Sequence, residues 1–369
     1  MTQTRTLDVY ARHRNATARW LMRSIERGRG GSCAHFSIAG GWSKPYPETT
    51  GYLIPTLLAL DEHERELGLH AAALRLGRWL LSIQNEDGSW HGGLHPPRRA
   101  QRASVFNTAQ ILKGMIALHR AGAGCEFRDA AVRGAAWLEG TQCADGLWAG
   151  GDYRASETPS YYTHALWPML EVWRECGDAR LLDGARRGVA TVLARIQPNG
   201  WVARCGFTDD ERAFTHTLAY TLRGLLECSR LLDAWNEIGA CTVPALEKLL
   251  RKAELASGRL PGELDCEWRA RGSYECLTGS AQTALNLLLW EKHERDLRIV
   301  NGAAKLVDRV CATQNTSHPL SGVRGGVAGS WPIWGRYMTL RYPNWAAKYH
   351  CDALLRIDER VALEIEAGA

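Results

Sequence analysis

Polar residues that could transfer protons stand just ahead of the apolar helical segments of this sequence. The string GGWSKPYPETTGY (40–52) places Glu48 immediately before the apolar run LIPTLLAL. His164 and His216 occupy similar points in YYTHALWPML and FTHTLAYTL. A carboxylate and imidazoles that meet in one cleft could act as general acid and general base. The elements that carry them therefore decide what chemistry the chain can do.

An internal repeat organises the chain. In RLGRWLLSIQNEDGSW (75–90) and RGAAWLEGTQCADGLW (133–148), four identities recur at an offset of 58 residues, namely Trp79/Trp137, Gln84/Gln142, Gly88/Gly146 and Trp90/Trp148. Weaker copies contain Gln197, Gly258 and Gln314, and the segment 13–31 is the most divergent copy. Repeats of this length indicate stacked helical units that bury a core only together.

Each copy is followed by a Gly- and aromatic-rich loop and then by a second helix. The second helices are apolar almost all round, which is typical of helices buried on both sides, whereas the first helices carry charge on one face. No segment shows sustained alternation of apolar and polar residues, so strands are at most minor. We predict an all-α fold, one (α/α)6 toroid of six outer and six inner helices over residues 1–369, with short flexible ends near 1–8 and 360–369.

Composition excludes several classes of protein. The 45 basic and 40 acidic residues nearly balance, so the chain has no general signal for nucleic-acid binding. No apolar run reaches the length of a membrane span, and the amino terminus lacks the apolar core of a signal peptide. Eleven scattered cysteines fit reduced thiols. These features predict a cytoplasmic protein without a transmembrane segment.

The Q-x3-G-x-W strings, each preceded by a tryptophan, resemble the QW repeat of squalene/terpene cyclases and the related prenyltransferase toroids. The resemblance implies the toroid, and a structural role for Gln84, Trp90, Gln142 and Trp148. It does not carry over the family's chemistry. The DxDD string of class II terpene cyclases is absent, since FTDDE has Phe207 in the first position. The zinc signature of prenyltransferases is absent too, because Asp265 and Cys266 are adjacent. We expect no metal and no cofactor.

The string GGWSKPYPETTGY resembles toroid proteins of bacterial exopolysaccharide and capsule assembly, and more loosely (α/α)6 enzymes that act on glycans. With 15 Trp against 5 Phe, the loops favour stacking on sugar rings over the apolar lining of an isoprenoid cavity. Six helix amino termini on one rim favour an anionic sugar such as a uronate.

The candidate site is the rim where the inner helices begin. The catalytic candidates are Glu48, Tyr162, His164 and His216. The substrate-binding candidates are Trp42, Tyr46, Tyr52, Trp90, Asn107, Gln110, Trp148, Tyr153, Glu157, Tyr220, Glu275, Trp331, Trp334 and Trp345.

Two mechanisms fit these residues. A hydrolase would pair Glu48 with a second carboxylate, for which Glu157, Asp209 and Glu275 are candidates. A lyase or epimerase would use Tyr or His to remove the proton beside a uronate carboxylate. The larger number of Tyr and His residues favours the second mechanism. Structural roles are also open for both residues. Glu48 could serve merely to stabilise a helix amino terminus, and His216 could be a hydrogen-bonded core residue.

We therefore expect an enzyme that processes a uronate-containing polysaccharide, or its precursor, in exopolysaccharide or capsule biosynthesis. Its partners would be a glycan and a polysaccharide-synthesis complex. Two alternatives stay open. The first is an isoprenoid cyclase or prenyltransferase-like enzyme, and the second is a non-catalytic glycan-binding subunit.

Overall fold

A computed structural model describes residues 3–97, 102–149, 158–207 and 212–368. Within these ranges the chain forms twelve α-helices in alternating outer and inner positions. The outer helices are α1 (Gln3–Gly28), α3 (Leu69–Ser82), α5 (Cys125–Gly140), α7 (Ala179–Leu193), α9 (Val243–Leu255) and α11 (Leu297–Thr313). The inner helices are α2 (Pro47–Asp61), α4 (Val105–Arg120), α6 (Thr163–Cys176), α8 (Thr215–Leu232), α10 (Leu277–Glu294) and α12 (Asn344–Gly368).

The inner helices pack in sequence order around a ring, and α12 contacts both α2 and α1. The last inner helix thus meets the first hairpin, which closes the toroid. The predicted (α/α)6 fold is confirmed, and each inner helix begins within a few residues of its expected start. No helix in the described ranges is long and apolar enough to cross a bilayer.

Strands are short, as the sequence indicates. Those in the described ranges are β1 (His35–Ser37), β2 (Gly41–Trp42), β3 (Arg212–Phe214), β4 (Glu263–Asp265), β5 (Glu275–Cys276), β6 (Ser330–Trp331) and β7 (Arg341–Pro343). All pairings are antiparallel, in the orders β2–β1–β7, β3–β4 and β5–β6. The pair β1–β7 joins the loop before α2 to the loop before α12, so it also links the two ends of the ring.

The repeat positions explain how neighbouring units are joined. Gln84 Nε2 donates hydrogen bonds to the carbonyl oxygens of Gly88 and of Ala130 on the next outer helix, both at 2.9 Å. Trp90 is fully buried and its indole N–H donates to Leu80 O at 2.8 Å. Gly88 has a φ of +89°, and a Cβ there would lie 2.6 Å from Arg133 O. A glutamine, a glycine and a tryptophan are therefore each required at this junction.

The second copy repeats these contacts. Gln142 Nε2 donates to Gly146 O at 2.6 Å and to Gly184 O at 3.4 Å, and the Trp148 indole donates to Leu138 O at 2.9 Å. Trp90 and Trp148 are thus structural tryptophans, although both are also candidates for substrate contact from the sequence.

The remaining expectations concern cysteines and chain ends. All eleven cysteines lie in the described ranges and none forms a disulfide, which agrees with the expected reduced thiols. The backbone of residues 3–8 belongs to α1 and that of residues 360–368 to α12. Residues 1, 2 and 369 lie outside the described part of the chain, so the expected flexibility of the two ends stays a prediction.

Candidate functional site

A cavity of about 210 Å³ opens where the inner helices begin. We call it the rim cavity. Its walls are mainly aromatic, and its described lining contains one carboxylate and one imidazole. The lining residues are Tyr46, Glu48, Phe106, Tyr161, Phe207, His216, Tyr220, Tyr337, Met338 and Trp345.

Four inner helices place equivalent residues in this cavity. Glu48, Phe106, His216 and Trp345 are the second residues of α2, α4, α8 and α12. These four residues are far apart in the sequence but lie on one wall of the cavity, because the inner helices are parallel and begin at one rim. Helix amino termini carry partial positive charge, so this wall favours an anionic ligand group.

His216 is held in one tautomer. Its Nδ1 lies 2.8 Å from Gln282 Oε1, which can only accept, so Nδ1 carries the proton and Nε2 keeps its lone pair. The side chain is buried, and this burial lowers the pKa of His216 to about 4. At neutral pH the ring is an uncharged imidazole with a basic Nε2, which is the state that a general base requires.

Tyr220 lies against His216, with ring centroids 4.3 Å apart. Below it, Tyr349 and Tyr52 complete a buried cluster of phenols. Burial raises the pKa of Tyr220 and of Tyr52 well above the usual value, and the nearby Glu48 charge raises both further. These phenols stay protonated at neutral pH. They can donate hydrogen bonds to a ligand, and the neutral imidazole of His216 is the candidate base among the described lining residues.

Three hydrogen bonds order the rest of the wall. Tyr46 donates its hydroxyl to Asn107 Oδ1 at 3.3 Å, and Asn107 Nδ2 donates to His91 O at 3.0 Å. Asn107 thus positions Tyr46 from behind and does not line the cavity itself. On the opposite side, the Trp345 indole N–H donates to the Tyr337 hydroxyl at 2.8 Å.

His164 and Gln110 lie deeper, outside the lining of the rim cavity. His164 Nδ1 is 3.0 Å from Gln110 Oε1 and 2.9 Å from Lys113 Nζ. Lys113 borders a second cavity of about 270 Å³ at the opposite end of the inner helices, which we call the lower cavity. Burial lowers the pKa of His164 well below its ordinary value, and the neighbouring Lys113 charge adds to this effect.

Tyr162 is also buried away from the rim cavity. Its ring packs edge-on against Trp148 and stacks on Phe106. A 3-10 turn (Ser160–Tyr162) precedes α6. With this turn, Tyr161 lines the cavity, whereas Tyr162 and His164 do not. The structure therefore brings Glu48 and His216 to the rim cavity and places Tyr162 and His164 among packed side chains.

The other candidates take different places. Glu275 receives two hydrogen bonds from Arg309, at 2.9 and 2.5 Å, and is not part of the described lining. Trp42 packs on Trp20. Trp331 and Trp334 are exposed on the loop that contributes Tyr337 to the cavity, with Trp334 71% exposed. Tyr153, Glu157 and Asp209 lie outside the described residues.

Sequence reasoning missed several lining residues. Phe106 occupies the same helix position as Glu48 and His216, and that position was the signal that could have found it. Tyr337 and Met338 lie in a long loop after β6 without helical periodicity, where the sequence gives no comparable signal. Among described residues, one group has the composition of a metal site, namely His13, Cys311 and His350. It lies outside the rim cavity.

The fold and site define a toroid protein with a carboxylate and an imidazole in an aromatic rim cavity. Comparison with known proteins agrees with the toroid fold. A family model described as squalene-hopene cyclase C-terminal domain matches residues 4–171. Labda-7,13-dienyl diphosphate synthase from Streptomyces clavuligerus is 30% identical over 125 residues, which are 34% of this chain and 21% of that protein. The matching segment thus spans about a fifth of that curated relative.

Solved structures match almost the whole chain. An unsaturated glucuronyl hydrolase specific for heparin has a TM-score of 0.75 at 15% identity, over 96% of this chain and 98% of its own. The unsaturated glucuronyl hydrolase from Bacillus sp. GL1 has a TM-score of 0.73 at 15% identity, over 95% and 97%. A sugar epimerase from a ruminal bacterium has a TM-score of 0.74 at 10% identity, over 98% and 99%. The chain therefore has an (α/α)6 toroid fold, and residues 4–171 are similar to the squalene-hopene cyclase C-terminal domain.

Proposed function

We propose that this chain is an enzyme that removes a proton from a uronate-containing glycan, or from its precursor, in the rim cavity. The observation that carries the proposal is the pairing of one carboxylate, Glu48, with one neutral imidazole, His216, on the wall of one aromatic cavity. The structural similarity to glucuronyl hydrolases and a sugar epimerase supports a sugar as substrate.

His216 is the base in this mechanism. A uronate that enters the cavity presents its C5 proton, which is acidified by the adjacent carboxylate. His216 Nε2 accepts that proton, and Gln282 holds the Nδ1–H so that the ring keeps its orientation. The uronate carboxylate gains negative charge in this step. The protonated Tyr220 and the helix amino termini of the wall stabilise it.

Glu48 is the acid. In a lyase reaction the C5–H electron pair forms the C4–C5 double bond, the C4–O bond breaks, and Glu48 donates a proton to the leaving oxygen. This role requires Glu48 to take up a proton when the substrate is bound, because its charged form is the one that raises the pKa of Tyr52 and Tyr220. In an epimerase reaction a proton returns to C5 from the opposite face. Both outcomes begin with the same proton abstraction, so the site assignment holds for either.

A hydrolase needs two carboxylates across the glycosidic bond. The described lining of the rim cavity contains only Glu48, and Glu275 is engaged by Arg309. The other hydrolase candidates, Glu157 and Asp209, lie outside the described residues. The acid–base pair that the described residues do present therefore favours proton abstraction.

Isoprenoid cyclisation is a second candidate, favoured by the match to the squalene-hopene cyclase model and by the aromatic walls, which could stabilise a carbocation. The volume of the rim cavity argues against isoprenoid cyclisation. The rim cavity of about 210 Å³ is smaller than the roughly 300–1,000 Å³ that drug-sized ligands occupy. It suits one sugar ring better than a folded polyprenyl chain.

The wider setting belongs to the same proposal. The resemblance of GGWSKPYPETTGY to exopolysaccharide and capsule proteins supports a role in polysaccharide biosynthesis. We propose that the reaction takes place in the cytoplasm, within a synthesis complex.

The test is a reaction screen with mass spectrometry. Wild type is incubated with uronate-containing oligosaccharides, with nucleotide-linked uronates and with polyprenyl diphosphates. We expect turnover of a uronate substrate, and a loss of about 10²–10⁴-fold in Glu48→Gln and in His216→Gln. His119→Gln, at the far end of α4, is the matched control and should retain activity. Turnover of a polyprenyl diphosphate alone would overturn the assignment, and binding of the glycan without turnover would indicate a binding subunit.

A further inference from the structure

Three side chains of metal-binding type converge outside the rim cavity. His13 on α1, Cys311 on α11 and His350 on α12 each offer a ligand atom, and these atoms lie within 4.8 Å of one another. All three residues are buried, with His350 fully inaccessible. His13 is separated from Cys311 and His350 by most of the chain, so ring closure brings the three residues together and not a local motif.

His13 is oriented as a metal-bound histidine would be. Its Nδ1 lies 2.6 Å from Gln314 Oε1. Gln314 Nε2 donates to Thr17 Oγ1 at 2.6 Å and to Gly325 O at 2.8 Å, so the amide orientation is fixed and Oε1 must accept. The proton of His13 is therefore on Nδ1, and Nε2 keeps a free lone pair. A hydrogen bond of this kind behind the ligating ring is typical of metal sites.

Cys311 and His350 face each other without a good hydrogen bond. The Cys311 Sγ to His350 Nε2 distance is 3.9 Å, which is long for a thiol–imidazole contact. His350 Nδ1 is buried and has no hydrogen-bond partner. A buried polar ring that is this poorly satisfied is costly in a protein core. A cation between Cys311 Sγ and His350 Nε2 would replace this weak contact by two strong bonds, although it would not supply a partner for Nδ1 on the other side of the ring.

Distances and charge suit zinc. Tetrahedral Zn²⁺ with bonds of about 2.0–2.3 Å holds its ligand atoms roughly 3.4–3.6 Å apart, so closure from the observed spacing needs shifts of about 1 Å or less per side chain. Asp308, one turn before Cys311 on α11, is close enough for its charge to act on both Cys311 and His13. Its Oδ1 accepts from the Tyr10 hydroxyl at 2.7 Å. A thiolate and this carboxylate together balance a divalent ion.

We propose that His13, Cys311 and His350 bind a zinc ion, with Asp308 balancing its charge. Three side chains leave one position of a tetrahedral ion to a water molecule, and because all three residues are buried we assign the ion a structural role. It joins the first outer helix to the last hairpin, which is the seam where the toroid closes. It differs from the rim cavity in location, in residues and in chemistry, and it stands whether or not the proposed reaction is correct.

The experiment measures metal content and ligand type separately from activity. The chain is produced in zinc-supplemented medium and analysed by elemental mass spectrometry, with about one zinc per chain expected. Replacement by Co²⁺ should give the intense visible bands of a tetrahedral site and a thiolate charge-transfer band. Cys311→Ser and His350→Gln should lose the metal. Cys228→Ser, another buried cysteine, is the matched control and should keep it.

A second measurement covers variants that fail to fold. Wild type is stripped with a chelator under denaturing conditions and refolded with and without zinc. The proposal predicts a Tm several degrees higher with zinc, because only the folded chain presents the three ligands together. Metal-free protein under zinc supplementation, with an unchanged Tm, would overturn the proposal. So would equal metal loading in Cys311→Ser and Cys228→Ser.

Discussion

The buried base His216 predicts how the stability of this protein depends on pH. Burial lowers its pKa from 6.5 to about 4 in the folded chain. Between these values the unfolded chain binds a proton that the folded chain excludes, so the free energy of unfolding rises with pH across this window. The stability that depends on an uncharged His216 is fully present above about pH 6.5 and is lost as the pH falls toward 4.

The magnitude follows from the same values. From pH 6.5 to about pH 5, the lost stability is about 1.4 kcal/mol for each pH unit, or about 2 kcal/mol in all. The variant His216→Gln is similar in size and does not titrate. We expect its unfolding free energy to fall by about 2 kcal/mol less than that of wild type between pH 7 and pH 5.

The assay is urea unfolding followed by circular dichroism at both pH values. His35, His164 and His350 also have lowered pKa values through burial, so wild type should lose more stability than this one residue explains. Only the difference between variant and wild type tests His216. His70→Gln, an exposed change on α3, serves as control. Equal losses in wild type and His216→Gln would refute the account of a buried neutral base.

Three further predictions concern packing, the repeat and the rim. A Cβ at Gly114 would lie 2.4 Å from Gly51 O, between α2 and α4. Gly114→Ala should therefore lower the free energy of unfolding by about 2–3 kcal/mol in chemical unfolding. The control Gly140→Ala, which has open space around it, should be nearly neutral. Gln84→Ala removes one hydrogen bond within its own unit and one to the next unit, and should cost about 1–3 kcal/mol by the same assay. An unchanged Tm would contradict its role. Trp334→Ala should raise KM for long glycans several-fold without changing Tm, because the exposed ring contributes stacking but no core packing. An unchanged KM would exclude Trp334 from substrate contact.

The fold was predictable because the repeat fixes the order of elements. Gln84, Gly88 and Trp90 have contacts that only a neighbouring unit can complete, so their recurrence after 58 residues implies stacked hairpins. Inner and outer helices then follow from which faces carry charge. Whether the toroid is the only domain, and whether its ends are flexible, stay predictions.

The site was predictable only in part. The start of each inner helix indicated Glu48, His216, Tyr220 and Trp345, all of which line the rim cavity. The direction of a side chain within the first turn was not predictable, because successive side chains point about 100° apart around the helix axis and an error of one residue changes the direction completely. The 3-10 turn before α6 changes this direction, which is why Tyr161 lines the cavity.

The His13, Cys311 and His350 cluster was beyond sequence reasoning for another reason. The sequence predicts no metal because the zinc signature of the prenyltransferases is absent. A site assembled by ring closure leaves no spacing pattern, since its ligands come from opposite ends of the chain. Only the packing of α1 against α11 and α12 brings them together.

The central claim, that His216 removes the C5 proton of a uronate, is tested most directly by release of tritium from substrate labelled at C5. Lyase and epimerase reactions both transfer that label to His216 and from there to solvent. The account predicts tritium in the water with wild type and at least about 100-fold slower release with His216→Gln. Product formed without tritium release, or equal release by wild type and His216→Gln, would contradict it.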